Sequence, residues 1–193
     1  MLISVQSVQS RSFGVVDIDP NTGNVKKNIV PIRYQNVIFQ KSGIIAQKSV
    51  GIYDAYSFHG QGVFCDAINP IFLENNMILI TSNQHKCYIL DYVANKLVFS
   101  KSGFDSILFF MGSNPQAIEY PPKPNFLQYL STIDYQKNGA HLENLVAVKR
   151  NGKWGVINLT TGTLHADFIY PVMVQCAGYQ IAAKDSRGIT IRL

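Results

Sequence analysis

Leu145-Val146-Ala147-Val148-Lys149-Arg150-Asn151-Gly152-Lys153-Trp154-Gly155-Val156-Ile157-Asn158 carries the reading of the whole chain. Four apolar residues, 145–148, lead into a charged pair and then Asn151-Gly152. That dipeptide is a strong hairpin signal, because a type I′ turn needs positive φ at both central positions. The apolar run resumes at Trp154 and stops at Asn158, where Thr160-Thr161-Gly162 supplies a second turn. A further apolar stretch runs from Leu164 to Val174 around Tyr170-Pro171. The segment reads as strand, tight turn, strand, turn.

Weaker copies recur. Phe13-Gly14-Val15-Val16-Asp17 has Phe in place of Trp and leads into the turn Asp19-Pro20-Asn21-Thr22-Gly23. Val50-Gly51-Ile52-Tyr53-Asp54 follows the strand Ile44-Ile45-Ala46-Gln47, and Cys87-Tyr88-Ile89-Leu90-Asp91 follows Met77-Ile78-Leu79-Ile80. Ile181 to Ile191, with Gly188 at its turn, reads as the hairpin half of one more unit. Gly14 to Gly51 and Gly51 to the matching Tyr88 are equal steps of 37 residues, and Gly155 to Gly188 is a step of 33. Tyr88 to Gly155 is 67 residues, which leaves room for a degenerate unit or an insertion. Periods of this size belong to solenoids and propeller-like arrays. Four to five units are expected.

The Trp154 segment resembles the WG β-repeat family. The family's unit contains a Gly-Lys-Trp-Gly core, an apolar step ending in Asp or Asn, a turn and a Tyr-Asp-like step. Gly152-Lys153-Trp154-Gly155-Val156-Ile157-Asn158 matches that core, and Tyr34-Gln35-Asn36-Val37 and Phe104-Asp105-Ser106-Ile107 fall at the Tyr-Asp step. The resemblance covers most of the chain, although the other copies lack the Trp and the Lys. It implies a bacterial protein that works by interaction rather than catalysis.

The expected fold is a mostly β, single-domain array over 1–193. Imperfect WG-type units would form antiparallel hairpins in a solenoid, propeller-like or open barrel-like stack. One hairpin cannot hide its apolar face alone, whereas stacked neighbours bury it together. Phe13, Gly14, Gly51, Trp154, Gly155 and Gly188 are assigned to this framework: the aromatic fills the gap between units and the glycine permits close backbone approach. Residues 113–144 break the period. Pro121, Pro122 and Pro124 exclude a helix interior or central strand, so this stretch is read as a loop-rich insertion with polyproline character. Residues 125–135 are left open between a short helix and a strand. Tyr120 and Lys123 in the insertion are assigned to binding, since long loops often carry function.

Composition agrees with a packed β domain. The chain is 47% hydrophobic and only 15% charged, with 11 Phe and 10 Tyr, which argues against disorder and favours strands. No basic, unbroken apolar leader opens the sequence, and no window is apolar enough to span a bilayer as a helix. A cytoplasmic location is expected. Cys65, Cys87 and Cys176 are read as free, buried thiols, being odd in number and without paired spacing.

Known chemistries find little support. His59-Gly60-Gln61-Gly62 has no Gly-x-Ser-x-Gly elbow to accompany it and no third glycine, and reads as a turn. His141-x-Glu143 lacks the Pro-Cys-x-x-Cys of zinc deaminases. No metal ligand set and no cofactor are expected. Asp17, Asp54, Asp91 and Asn158 share one slot and are expected to cap turn amides.

The first turns of the units carry Lys48, His85-Lys86, Lys149-Arg150 with Lys153, and Lys184 with Arg187; the second turns are acidic or neutral. A basic rim at Lys149, Arg150, Lys153, Lys184 and Arg187 would steer an acidic protein partner. The function expected is therefore a non-catalytic protein-binding module, in its most concrete form an immunity- or inhibitor-type protein that neutralises a toxin or enzyme. A nucleic-acid-binding regulator using the same rim is the alternative, consistent with the net charge of +5. A thiol-dependent hydrolase using Cys65 and His59 is a second alternative.

Overall fold

The computed structural model describes residues 1–99, 102–111, 116–121, 139–178 and 180–193, and every regular element among them is a β-strand. In chain order they are β1 (Leu2–Gln6), β2 (Phe13–Ile18), β3 (Val25–Tyr34), β4 (Asn36–Gln40), β5 (Gly43–Ser49), β6 (Ile52–Tyr56), β7 (Gly62–Phe72), β8 (Met77–Thr81), β9 (Cys87–Asp91) and β10 (Lys96–Leu97). They continue with β11 (Ser106–Met111), β12 (Ile118–Tyr120), β13 (Ala140–His141), β14 (Leu145–Arg150), β15 (Lys153–Asn158), β16 (Thr163–Tyr170), β17 (Val172–Cys176), β18 (Gln180–Lys184) and β19 (Thr190–Arg192).

All pairings are antiparallel, and they resolve into five meanders. The first is β1-β2-β3 and the second β4-β5-β6-β7. β7 then carries the chain into the third: its first part pairs with β6, and its end, from Ile68, pairs with β8. Asp66 and Asn69 adopt positive φ within this crossing strand, a conformation open to short polar side chains. β8-β9-β10 complete the third meander. The fourth is β11-β14-β15-β16, and the fifth β17-β18-β19.

The meanders stack face to face, and the central strands show why. Ile44-Ile45-Ala46 of β5, Ile78-Leu79-Ile80 of β8 and Val146-Ala147-Val148 of β14 are unbroken apolar triplets, all buried. A strand alternates its faces, so such a triplet needs cover on both sides. Ile44 and Ala46 join Val15, Val30 and Tyr34 against the first meander, while Ile45 joins Ile78 and Ile80 against the third. Leu79 meets Val146 and Val148, whereas Ala147 meets Met173, Ile181 and Ala183. Four apolar clusters thus separate five meanders, and no pairing or cluster among the described residues closes the first meander on the last.

Polar side chains tie these junctions as well. The Tyr34 hydroxyl donates to Asp54 Oδ2 at 2.7 Å between the first and second meanders. Gln40 Oε1 accepts from the Phe72 amide at 2.8 Å between the second and third. The Tyr120 hydroxyl donates to the Asn69 carbonyl at 2.9 Å and accepts from Thr81 between the third and fourth. Between the fourth and fifth, Gln175 accepts from the Ala147 amide at 3.0 Å and donates to the Leu145 carbonyl at 2.6 Å.

The repeat framework is present with one register correction. Phe13 pairs with Tyr34, Cys87 bridges Phe104 and Trp154 pairs with Tyr170, so in these three units the closing aromatic sits opposite the start of the middle strand. Gly14 and Gly155 follow Phe13 and Trp154 at β-bulges. A Cβ on Gly14 would lie 2.7 Å from the Val30 carbonyl oxygen, and one on Gly155 2.8 Å from that of Ala166. Gly51 and Gly188 do not share this slot. They occupy first turns at φ +77° and +82°, as Gly152 does at +74°, with open space around them. The true counterpart of Trp154-Gly155 in the second unit is Tyr53-Asp54, which pairs with Ala67. The regular 37-residue step is therefore not the structural period.

The expected caps divide in the same way. Asp91 caps the amides of Val93 and Ala94, and Asn158 those of Thr160 and Thr161. Asp17 instead pairs with the Met1 ammonium, and Asp54 is buried. The insertion lies between the first and second strands of the fourth meander, and its described parts add β12 and β13 to β11. Lys123 and the 125–135 stretch lie outside the described residues.

Candidate interaction surface

The first turns share one edge of the stack. Asp105 links two of them, accepting Lys86 Nζ of the third unit and the Gly152 amide of the fourth at 3.0 Å. The cations assigned to this edge fall into two sets. Lys149 Nζ sits 5.3 Å from the centre of the Trp154 ring, and the Arg150 guanidinium lies over Phe104 and Phe168 at 5.3 and 4.8 Å. Both cations are half-buried and lie against aromatic faces of the junctions, so packing holds them at the edge where the rim was expected. Lys48 is held by Asp66 at 2.7 Å. Lys153 and Lys184 are exposed and have no ion-pair partner among the described residues, while Arg187 lies open but forks onto Asp185 through Nε and Nη2. Trp154 and Ala183, the chain neighbours of Lys153 and Lys184, share one apolar cluster, so these two ammonium groups belong to adjacent meanders.

The structure adds a feature that charge counting missed. The inward face of the fifth meander presents Met173, Ile181 and Ala183 to the fourth, whereas its outward face carries Val172 and Val174, 47% and 53% exposed. Register places Val172 beside Lys184, and Val174 beside Ala182 and then Arg192. Apolar and cationic side chains therefore alternate across one sheet face, beside a cleft of about 270 Å³ at the sheet edge lined by Val174, Cys176, Gln180, Ile181, Ala182, Arg192 and Leu193. No described element covers it. The signal was available in Val172-Met173-Val174, an apolar triplet like those of β5, β8 and β14, which calls for cover on both faces.

Other assigned groups settle elsewhere. Tyr120 is fully buried in the third junction, where desolvation drives its hydroxyl pKa far up; its assignment to a surface binding loop is corrected. Cys87 is buried and its thiol is pushed up to about 12, chiefly by desolvation, but Cys65 is exposed and Cys176 half-buried, against the expectation of three buried thiols. No hydrogen bond or ion pair among the described residues joins Cys65 to His59. His141 stacks on Phe110 with ring centres 5.4 Å apart. Among the described residues, no three His, Cys, Asp or Glu side chains group to hold a metal ion. Among the described residues no helix is long and apolar enough to cross a membrane.

Among the described residues Asp54 is the one buried carboxylate, in contrast to the turn-capping role expected of it. Burial alone would raise its pKa, but bonds from the Asp66 amide and the Tyr34 hydroxyl, with Lys48 nearby, hold it below the ordinary value. Tyr56 and Arg33 complete the cluster through the Tyr34 hydroxyl.

No protein-family model matches the chain, and no curated protein does. Among solved structures it is similar to the computationally designed Ika8 protein, at 11% identity and a TM-score of 0.33 over 99% of this chain and 67% of that one. It is similar also to the WD40 β-propeller domain of Doa1, at 8% identity and a TM-score of 0.31 over 98% and 68%. PorZ of the Porphyromonas gingivalis type-IX secretion system gives 10% identity and a TM-score of 0.30 over 94% of this chain but 30% of that one.

Proposed function

We propose that the chain is a non-catalytic protein-binding β-repeat module whose contact surface is the outward face of the fifth meander with the adjoining first-turn edge. One observation carries the reading: Val172 and Val174 lie exposed on an antiparallel sheet, Val172 in register with Lys184 and Val174 with Ala182, whose next neighbour is Arg192. An apolar centre with a polar, charged border is the usual anatomy of a protein interface. The cationic border favours a partner whose own contact surface mixes apolar residues with carboxylates, and would speed its approach.

In its most concrete form this is a cytoplasmic, bacterial immunity- or inhibitor-type protein that covers a toxin or an enzyme. The resemblance of the Trp154 unit to WG repeats and the size of the domain support that form. The test is capture of the partner from the native host, followed by affinity measurements at increasing salt with Val174→Asp and with Lys184→Glu/Arg192→Glu. A drop in affinity for both variants in a folded protein supports the surface. Unchanged affinity removes it, and a steep salt-dependent preference for mixed DNA or RNA would favour a nucleic-acid regulator.

A further inference from the structure

The edge opposite the basic one has a different chemistry. Second turns of neighbouring units lie side by side there, and clefts open between them. One, of about 300 Å³, lies between the second-unit turn at 57–61 and the third-unit turn at 91–95. That volume is at the small end for ligand pockets, ~300–1,000 Å³. Its wall includes two aromatic rings, Phe58 and Tyr92, together with Ser57, His59, Gln61 and Asn76. Among the described residues no Asp, Glu, Lys or Arg lines it.

Its frame is fixed from behind. The Ser57 and Gln61 backbones pair across the turn, and Lys27 Nζ holds the His59 carbonyl at 2.7 Å. The Tyr92 amide donates to the Asn76 carbonyl at 3.0 Å, and the Tyr92 ring stands edge-on to buried Phe72 at 5.4 Å. The His59 imidazole and the Gln61 and Asn76 amides make no side-chain hydrogen bond among the described residues, so these donors and acceptors remain available to a ligand.

We propose that this cleft binds a neutral saccharide. A sugar ring offers apolar C–H faces to aromatic rings and hydroxyls to amides and imidazole, the two kinds of group combined here. The absence of lining charge among the described residues disfavours phosphate and carboxylate ligands, which would meet no counter-ion there. The site is separate from the proposed protein-binding face, and neither reading depends on the other.

The test is a titration of ¹⁵N-labelled protein, followed by amide shifts. The probes are glucose, N-acetylglucosamine, maltotriose and chitotriose, with inorganic phosphate and an unrelated tripeptide for comparison. Saturable shifts confined to residues 57–61, 76–77 and 92–93 with at least one sugar are expected. A larger effect of the trimer than of the single sugar would identify a glycan chain rather than a free sugar as the ligand. His59→Ala and Gln61→Ala, both at exposed positions, should each weaken binding about fivefold while leaving the amide spectrum elsewhere intact. The proposal is overturned if no sugar shifts these amides saturably, if phosphate or the peptide shifts them more, or if both variants bind unchanged.

Discussion

The Tyr34 hydroxyl donates to Asp54 Oδ2 at 2.7 Å across the junction of the first two meanders, and both residues are buried. Asp54 occupies the slot that glycine holds at Gly14 and Gly155. A carboxylate is tolerated there because Tyr34, the Asp66 amide and Lys48 satisfy it. Asp54→Asn keeps the shape but removes the charge, and should cost about 2 kcal/mol in urea unfolding.

The same group predicts a pH dependence. Because the folded pKa of Asp54 lies below its ordinary 3.8, its contribution is complete above that value and is lost as pH falls through the folded one. Wild type should lose stability on acidification below about pH 4, and Asp54→Asn should lose less over that window. Parallel curves for the two proteins would remove Asp54 from the explanation.

Gly155→Ala and Gly51→Ala should differ in kind. At Gly155 a Cβ would press within 2.8 Å of the Ala166 carbonyl oxygen, forcing the β15–β16 bulge apart at about 2–3 kcal/mol. At Gly51 the added Cβ meets nothing within 4 Å and only the positive φ is strained, at about 1 kcal/mol. Thermal unfolding of the two variants gives the order directly.

Thiol labelling should proceed in sequence. Cys65 is exposed and should react first with a disulfide reagent near neutral pH, ahead of half-buried Cys176. Cys87, buried and pushed up to about 12, should react only on unfolding. Rapid labelling of Cys87 in the folded protein would contradict its place in the third junction.

Much of this architecture was legible in the chain because the local signals were unambiguous. Asn151-Gly152 sets a turn at positive φ at both residues, and the steps at Tyr34 and Phe104 fall opposite the openings of their middle strands. Gly51 misled because a turn glycine and a bulge glycine look alike in sequence. They differ only in whether a neighbouring strand crowds the Cα. Tyr120 misled because prolines follow it, although its own strand, β12, pairs with β11 before they begin. The rim was only half legible: sequence shows where Lys149 and Arg150 lie but not that Trp154, Phe104 and Phe168 sit beneath them.

Residue-resolved hydrogen exchange tests the face-to-face stack most directly. Amides of 44–46, 78–80 and 146–148, in strands covered on both sides, should be the slowest to exchange, and those of β1 and β19 among the fastest. Equal protection in all five meanders, or the slowest exchange in β1 or β19, would contradict it.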